Sequence, residues 1–144
     1  MLVSDILKSK GASVKMIRSD DSAMVCAQRL SAERVGALVV SDNGRSLDGI
    51  ISERDIAYGL AKHGPGLHAV PVRDLMTKAV ITSGPRESIV QVMRVMTQRR
   101  IRHLPIVDND RLAGIVTSGD VLKHRLEEVQ LEANVLRDAV IAAR

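Results

Sequence analysis

The sequence predicts an α/β fold of the α+β kind, in which a β-α-β-β-α unit is made twice and the chain then runs on as an extended C-terminal helix. Three observations carry this prediction. First, "GALVVSDNGRSLDGIISERDI" (36 to 56) lines up with "RHLPIVDNDRLAGIVTSGDV" (102 to 121), with one extra residue in the first turn. Second, strand-like apolar runs and helix-spaced apolar residues follow one another in the same order in both copies. Third, an apolar seam continues beyond the second copy, from Leu122 to Val140.

In the alignment Asp42 meets Asp108, Gly49 meets Gly114, Ser52 meets Thr117 and Asp55 meets Asp120. Upstream, "VSDIL" (3 to 7) matches "VRDLM" (72 to 76), and "VKMIRSDDSAMVCAQRL" (14 to 30) matches "VITSGPRESIVQVMRVM" (80 to 96) in apolar pattern. Each copy therefore reads as a short apolar strand, an amphipathic helix, a strand, a turn, a second strand and a second helix. In the first helix of the second copy Ile89, Val92, Met93 and Met96 recur at helical spacing and form a core face, with Pro85 near its start. The turns "SDNGRS" and "DNDR" carry Asn and Asp, which tolerate left-handed backbone, so each strand pair is a hairpin. "HGPGLHAVP" (63 to 71) supplies the breakers between copies. A unit of about 60 residues makes only a marginal core alone, so the two are expected to pack together about a pseudo-two-fold axis. The organisation predicted is one copy over 1–66, a second over 67–126 and a helical extension over 127–144.

The chain has 144 residues, 45% of them hydrophobic and 26% charged, as in ordinary globular domains and unlike disordered or fibrous chains. Apolar runs such as "VGALVV" (35 to 40) fall far short of the roughly 18 residues of a membrane helix, and no signal peptide is recognised. The expectation is a cytoplasmic protein with no membrane partner. A lone cysteine, Cys26, leaves no internal disulfide and no multi-cysteine metal site. With no acid or His placed to activate it, Cys26 reads as structural. Lys and Arg total 21 against 17 Asp and Glu, a net charge of +4 that favours anionic partners. With Tyr58 the only aromatic of the Phe, Trp, Tyr set, stacking platforms for single-stranded nucleic acid are missing, which argues against that partner.

Ser or Thr before an apolar-periodic helix, with an acid three residues on, is first a capping box worth about 1 kcal/mol per helix. The same corner has a second reading. Free helix N–H groups and the positive dipole end suit a phosphate. A carboxylate in the first turn is an acceptor suited to a ribose diol.

These segments resemble the cystathionine β-synthase (CBS) domain in its tandem form, the Bateman module, here of the stand-alone bacterial type and covering about residues 1 to 126. The resemblance rests on "RHLPIVDNDRLAGIVTSGDVL" (102 to 122) preceded by "VRDLMT" (72 to 77). It implies a disc-like module whose central cleft binds adenosine-containing ligands such as AMP, ATP, NAD or S-adenosylmethionine, and which commonly dimerises. By that resemblance Thr117 and Ser52 touch phosphate, Asp120 and Asp55 hold ribose hydroxyls, and the strands from Arg102 to Pro105 and from Gly36 to Val39 face adenine. The copies depart from one another where Val39 replaces Pro105 and Arg54 replaces Gly119, so the two sites are expected to differ, with Arg54 as an added phosphate contact.

"QRRIRH" (98 to 103) reads either as a solvated basic face at a helix end or as a source of phosphate contacts from Arg102 or His103. His63, His68 and His124 lack ligand spacing and are assigned to loops or the surface. Leu122, Leu126, Val129, Ala133, Leu136 and Val140 keep a 4-3-4-3-4 spacing. That seam packs either on its own domain or, as favoured here, on a partner's matching helix in a homodimer. No nucleophile with base and orienter, no Walker loop and no Gly-x-Gly-x-x-Gly is present, so catalysis and a catalytic cofactor are not expected. The reading is a sensor of AMP, ATP or NAD type ligands that signals through a dimer or an effector protein in trans. The competing readings are an interaction scaffold without nucleotide and, more weakly, a basic nucleic-acid binder.

Overall fold

The computed structural model describes residues 1–144. Its elements are α1 (Val3–Lys10), β1 (Met16–Ile17), α2 (Ala23–Glu33), β2 (Ala37–Val40), β3 (Gly49–Ser52), α3 (Glu53–His63), two 3-10 turns (Gly64–Ala69 and Val72–Asp74), α4 (Ile89–Arg99), β4 (His103–Asp108), β5 (Arg111–Thr117) and α5 (Ser118–Ala142). No helix is long and apolar enough to cross a membrane.

Helices α2 and α4 occupy matching places and begin alike. The hydroxyl of Ser22 accepts the Val25 N–H at 3.2 Å, and that of Ser88 accepts the Gln91 N–H at 3.1 Å. Both helices end on an arginine in the left-handed region, Arg34 at φ 53 and Arg100 at φ 54. That conformation disfavours a Cβ by roughly 1–2 kcal/mol. It turns each chain sharply from helix into strand. The buried faces are Ala23, Cys26 and Leu30 on α2, and Ile89, Val92 and Met96 on α4, as helical spacing requires.

The sheets are not equal copies. The first has order β1-β2-β3, with β1 parallel and β3 antiparallel to β2, whereas the second holds only the antiparallel pair β4-β5. The first strand expected in the second copy shrinks to a single bridge between Ser83 and Ile106. Pro105 supplies the reason. In the first copy the Val39 N–H donates to the Lys15 carbonyl at 3.1 Å and the Ser41 N–H to the Ile17 carbonyl at 3.0 Å. Val107 repeats the second of these bonds, donating to the Ser83 carbonyl at 2.9 Å, but Pro105, aligned with Val39, has no N–H for the first. The β4-β5 turn places Asn109 at φ 49 and Asp110 at φ 63, the two positive angles of a type I′ hairpin.

Two apolar clusters make the core, and the chain exchanges segments between them. Val3 and Ile6 of α1 lie in one cluster with Ile89, Val92, Met96, Leu104, Ile106, Val116 and Val121. Val72 lies in the other with Ile17, Cys26, Leu30, Leu38, Val40 and Ile51. The segment that begins the first copy thus completes the second core, and the segment that begins the second copy completes the first. Backbone bonds hold both exchanges in equivalent fashion: the Val3 N–H reaches the Glu87 carbonyl at 2.9 Å and the Val72 N–H reaches the Asp21 carbonyl at 2.8 Å. Each incoming segment also fills a glycine. A Cβ on Gly114 would stand 2.6 Å from Leu7 Cδ2, and one on Gly49 would stand 2.7 Å from Met76 Sδ. The hairpins are joined directly, since the Leu112 N–H donates to the Arg45 carbonyl at 2.9 Å.

His124, assigned from sequence to a loop or the surface, is instead buried on α5, where its Nδ1–H donates to the Asp120 carbonyl at 2.9 Å. A lone His on a helix gives no local sign of burial; α5 turns this face toward the body. Beyond it the helix leaves the domain and its apolar seam is uncovered, with Leu126 60% and Leu136 67% exposed. Of the two readings of that seam, packing on its own domain is not what the structure shows.

Candidate functional site

A solvent-open cleft of about 280 Å³ lies between the two copies. From the first copy it takes Gly36, Ala37, Ile50 and the stretch Ser52 to Asp55; from the second it takes Thr77, Ala79 to Ile81, and Arg100 to His103. The outer edge of β3 assembles it. Ile50 and Thr77 exchange backbone bonds, N–H to carbonyl at 3.0 Å and back at 2.9 Å, which lays residues 77–81 along the mouth. Gly36 leaves the floor open: a Cβ there would sit 2.9 Å from Glu53 Oε1 and 3.0 Å from His103 Cε1. The Glu53 carboxylate and the His103 ring converge above that missing side chain.

Five of the eight residues singled out from sequence meet in this cleft: Ser52, Arg54, Asp55, Arg102 and His103. The corner at Ser52 is a capping box. Asp55 Oδ2 accepts the Ser52 N–H at 2.8 Å and the Ser52 hydroxyl at 3.2 Å. Both residues are half-buried, while Arg54, which lies between them in sequence, is exposed. His103 is half-buried on β4. Burial pushes its imidazole below the ordinary value, the nearby Glu53 carboxylate pulls it back up, and Arg102 and Lys10 push it down again. The net direction favours a neutral ring that both donates and accepts hydrogen bonds.

Pro105, Thr117 and Asp120 do not line this cleft. Pro105 is buried inside β4. Thr117 caps α5, its hydroxyl accepting the Asp120 N–H at 3.1 Å while Asp120 Oδ2 accepts the Thr117 N–H at 2.9 Å. The same oxygen takes the Lys10 ammonium at 2.6 Å. Burial pushes the Asp120 carboxyl up, but the Lys10 and Thr117 bonds outweigh it and hold the group below the ordinary carboxylate value. Cys26 is buried, and its thiol is pushed up to about 11, chiefly by that burial and then by the charge of Asp55, so it stays protonated.

Sequence reasoning did not single out Glu53, Arg100 or the stretch 77–81 as site residues. Arg100 carried a local signal, since it stands in the basic run "QRRIRH" read from sequence; in the structure it directly follows the last residue of α4, with left-handed backbone. Thr77 to Ile81 carried none, because only the pairing with Ile50 brings them to the cleft. The lining holds three guanidinium groups, Arg54, Arg100 and Arg102, against the carboxylates of Glu53 and Asp55. It therefore offers cations to an anion and acceptors to hydroxyl or amino groups within one concavity.

Comparison with known proteins bears on this geometry. The family model described as "CBS domain" matches twice, at residues 3–62 and 72–127. A curated relative, the mitochondrial CBS domain-containing protein CBSX3 of Arabidopsis thaliana, is 34% identical over 92% of this chain and 71% of its own. Among solved structures, the CBS-domain containing protein ATU1752 from Agrobacterium tumefaciens superposes with a TM-score of 0.83 at 38% identity, covering 87% of this chain and 99% of that one. The CBS domain pair of MJ0100, solved in complex with 5′-methylthioadenosine and S-adenosyl-L-methionine, has a TM-score of 0.77 at 31% identity, covering 89% and 98%. CBSX2, solved in complex with AMP, has a TM-score of 0.73 at 25% identity, covering 88% and 96%. With both family matches falling on the duplicated halves and the fold shared over 87% of its length, this chain belongs to the CBS-domain family as a tandem pair.

Proposed function

We propose that the chain is a regulatory module that binds an adenosine nucleotide, of the AMP, ATP or NAD kind, in the cleft between its copies. The observation that carries this reading is the meeting of the Ser52 and Asp55 corner with Arg54, Arg100 and Arg102 in one open concavity. Asp55 keeps Oδ1 for the ribose diol while Oδ2 serves the helix cap. Ser52 and the first turn of α3 face the phosphate, with the three guanidinium groups around it. The adenine lies toward His103 and Ala37. Complexes of MJ0100 with 5′-methylthioadenosine and S-adenosyl-L-methionine and of CBSX2 with AMP support the ligand class. The arginines favour a phosphorylated member of that class over a sulfonium, which brings its own positive charge. At about 280 Å³ the cleft stands near the roughly 300 Å³ lower end of small-molecule sites, which suits a nucleoside monophosphate.

Signalling runs through assembly. Two copies of the uncovered α5 seam, Leu126, Val129, Ala133, Leu136 and Val140, pair into a homodimer, and ligand binding shifts the arrangement that an effector in trans reads. No catalytic step is part of this reading. Calorimetric titration of AMP, ATP and NAD against wild type and Asp55→Ala tests it. A loss of at least tenfold in affinity on substitution is expected, and equal binding by both proteins removes the site. A second reading, an interaction scaffold with no nucleotide, is favoured by the exposed α5 seam alone. A melting point indifferent to all three nucleotides would select it.

A further inference from the structure

The two capping corners are copies of one another in packing as well as in sequence. Met76 fills the space beside Gly49, and Leu7 fills the space beside Gly114. Leu7 and Met76 are thus equivalent, and three residues further on so are Lys10 and Ala79. Here the copies part. After Asp74 the backbone leaves its 3-10 turn and Thr77 pairs with Ile50, so Ala79 lines the open cleft. After Asp5, by contrast, α1 stays helical as far as Lys10. The Ile50 carbonyl accepts the Thr77 N–H at 2.9 Å, whereas the aligned Ile115 carbonyl accepts the Lys10 ammonium at 3.0 Å. That ammonium also lies 2.6 Å from Asp120 Oδ2, whose counterpart Asp55 receives only the Ser52 backbone and hydroxyl. The Lys10 and Asp120 side chains are 28% and 22% exposed, so the pair is largely shielded from solvent.

We propose that Lys10 is a built-in occupant of the second corner, its ammonium standing against Asp120 Oδ2 and the Ile115 carbonyl in the space a ribose would enter, and limiting the chain to one nucleotide. This rests on the nucleotide reading of the cleft. The competition is direct. A diol hydroxyl and an ammonium are both donors to a carboxylate, but the ammonium is charged and tethered, so it acts at a high effective concentration. A nucleotide that displaced it would have to break the ion pair with Asp120 and the hydrogen bond to the Ile115 carbonyl together, which opposes entry. The open cleft carries no such lysine because its equivalent is Ala79.

The test is calorimetric stoichiometry with AMP on four proteins: wild type, Lys10→Ala, Asp55→Ala and the double variant. Wild type is expected to bind one equivalent and Lys10→Ala two. Asp55→Ala is expected to bind none, and the double variant to regain one equivalent at the second corner. Lys10→Gln, which keeps most of the stem but not the charge, serves if Lys10→Ala melts early, and the same gain is expected. Two equivalents on wild type, or no gain in either Lys10 variant, would overturn the inference. If wild type binds nothing while the Lys10 variants bind one equivalent, the reading of the open cleft fails and the role of Lys10 stands. Loss of all binding in the double variant, with one equivalent on wild type, is the converse.

Discussion

Replacing Ile6 by Ala tests the exchange of segments between the two cores. Ile6 is fully buried, in the cluster with Ile89, Val92, Met96 and Leu104, far from the half it precedes in sequence. The substitution removes three carbons, about 2.4 kcal/mol at about 0.8 kcal/mol per methylene. The cavity left among branched side chains raises the cost to about 3–4 kcal/mol. For 144 residues at about 2.1 cal/mol/K each, the unfolding entropy is about 0.3 kcal/mol/K, so the melting temperature should fall by about 10–13 °C. Thermal and urea unfolding followed by circular dichroism measure the size of the effect. Amide exchange measures its place: protection should fall first at His103–Asp108 and Arg111–Thr117, where Ile6 packs, rather than at Ala37–Val40 and Gly49–Ser52. A cost below about 1 kcal/mol, against the 2–5 kcal/mol usual for a buried Ile, refutes the exchange. So does protection lost first in the β2-β3 pair.

Gly36→Ala places a Cβ against the flexible ends of Glu53 and His103, so AMP affinity should fall about tenfold, or about 1.4 kcal/mol, with a melting shift of only a few degrees. His103 is depressed chiefly by burial, so between its folded pKa and the unfolded value of about 6.5 the unfolded chain holds the extra proton. Stability should therefore fall as pH drops below about 6.5, and His103→Gln should flatten that slope in melting curves taken from neutral to mildly acidic pH. Asp120 is depressed, so its contribution is present above the unfolded value near 3.9 and is lost as pH falls through the folded one; Lys10→Ala should shrink that acid-limb loss in urea titrations. Leu126→Glu with Leu136→Glu places charges on the uncovered seam, and sedimentation should report monomers in place of dimers while AMP still binds.

Whatever depends on neighbours three or four residues apart could be read directly from the chain. The α2 and α4 faces, the Asn109 and Asp110 turn, and the Ser52 and Thr117 caps all close within a few residues, so residue type and spacing specify them. Ser52 and Asp55 were reached through their capping box and Arg102 and His103 through a helix-to-strand junction, whereas Arg54 was named only under the family resemblance, where the two copies differ. Thr77 to Ile81 were not reached, since their place depends on a strand edge more than twenty residues away. The loss of a strand beside Pro105 is an intermediate case. The missing N–H is visible in the sequence, but its cost depends on which edge of β4 it faces.

By itself, then, the sequence determined the duplicated units, their helical faces, their hairpins and the caps at their corners, all consequences of local backbone geometry and periodicity. Only the tertiary structure decided which core each opening segment joins, that Lys10 reaches Asp120 across 110 positions, that His124 is buried, and that one corner lines the cleft while its twin does not. The physical reason is that apolar spacing marks a side chain for burial without naming its neighbours. A lysine's donors are likewise satisfied by whichever carboxylate the packed helices bring within reach.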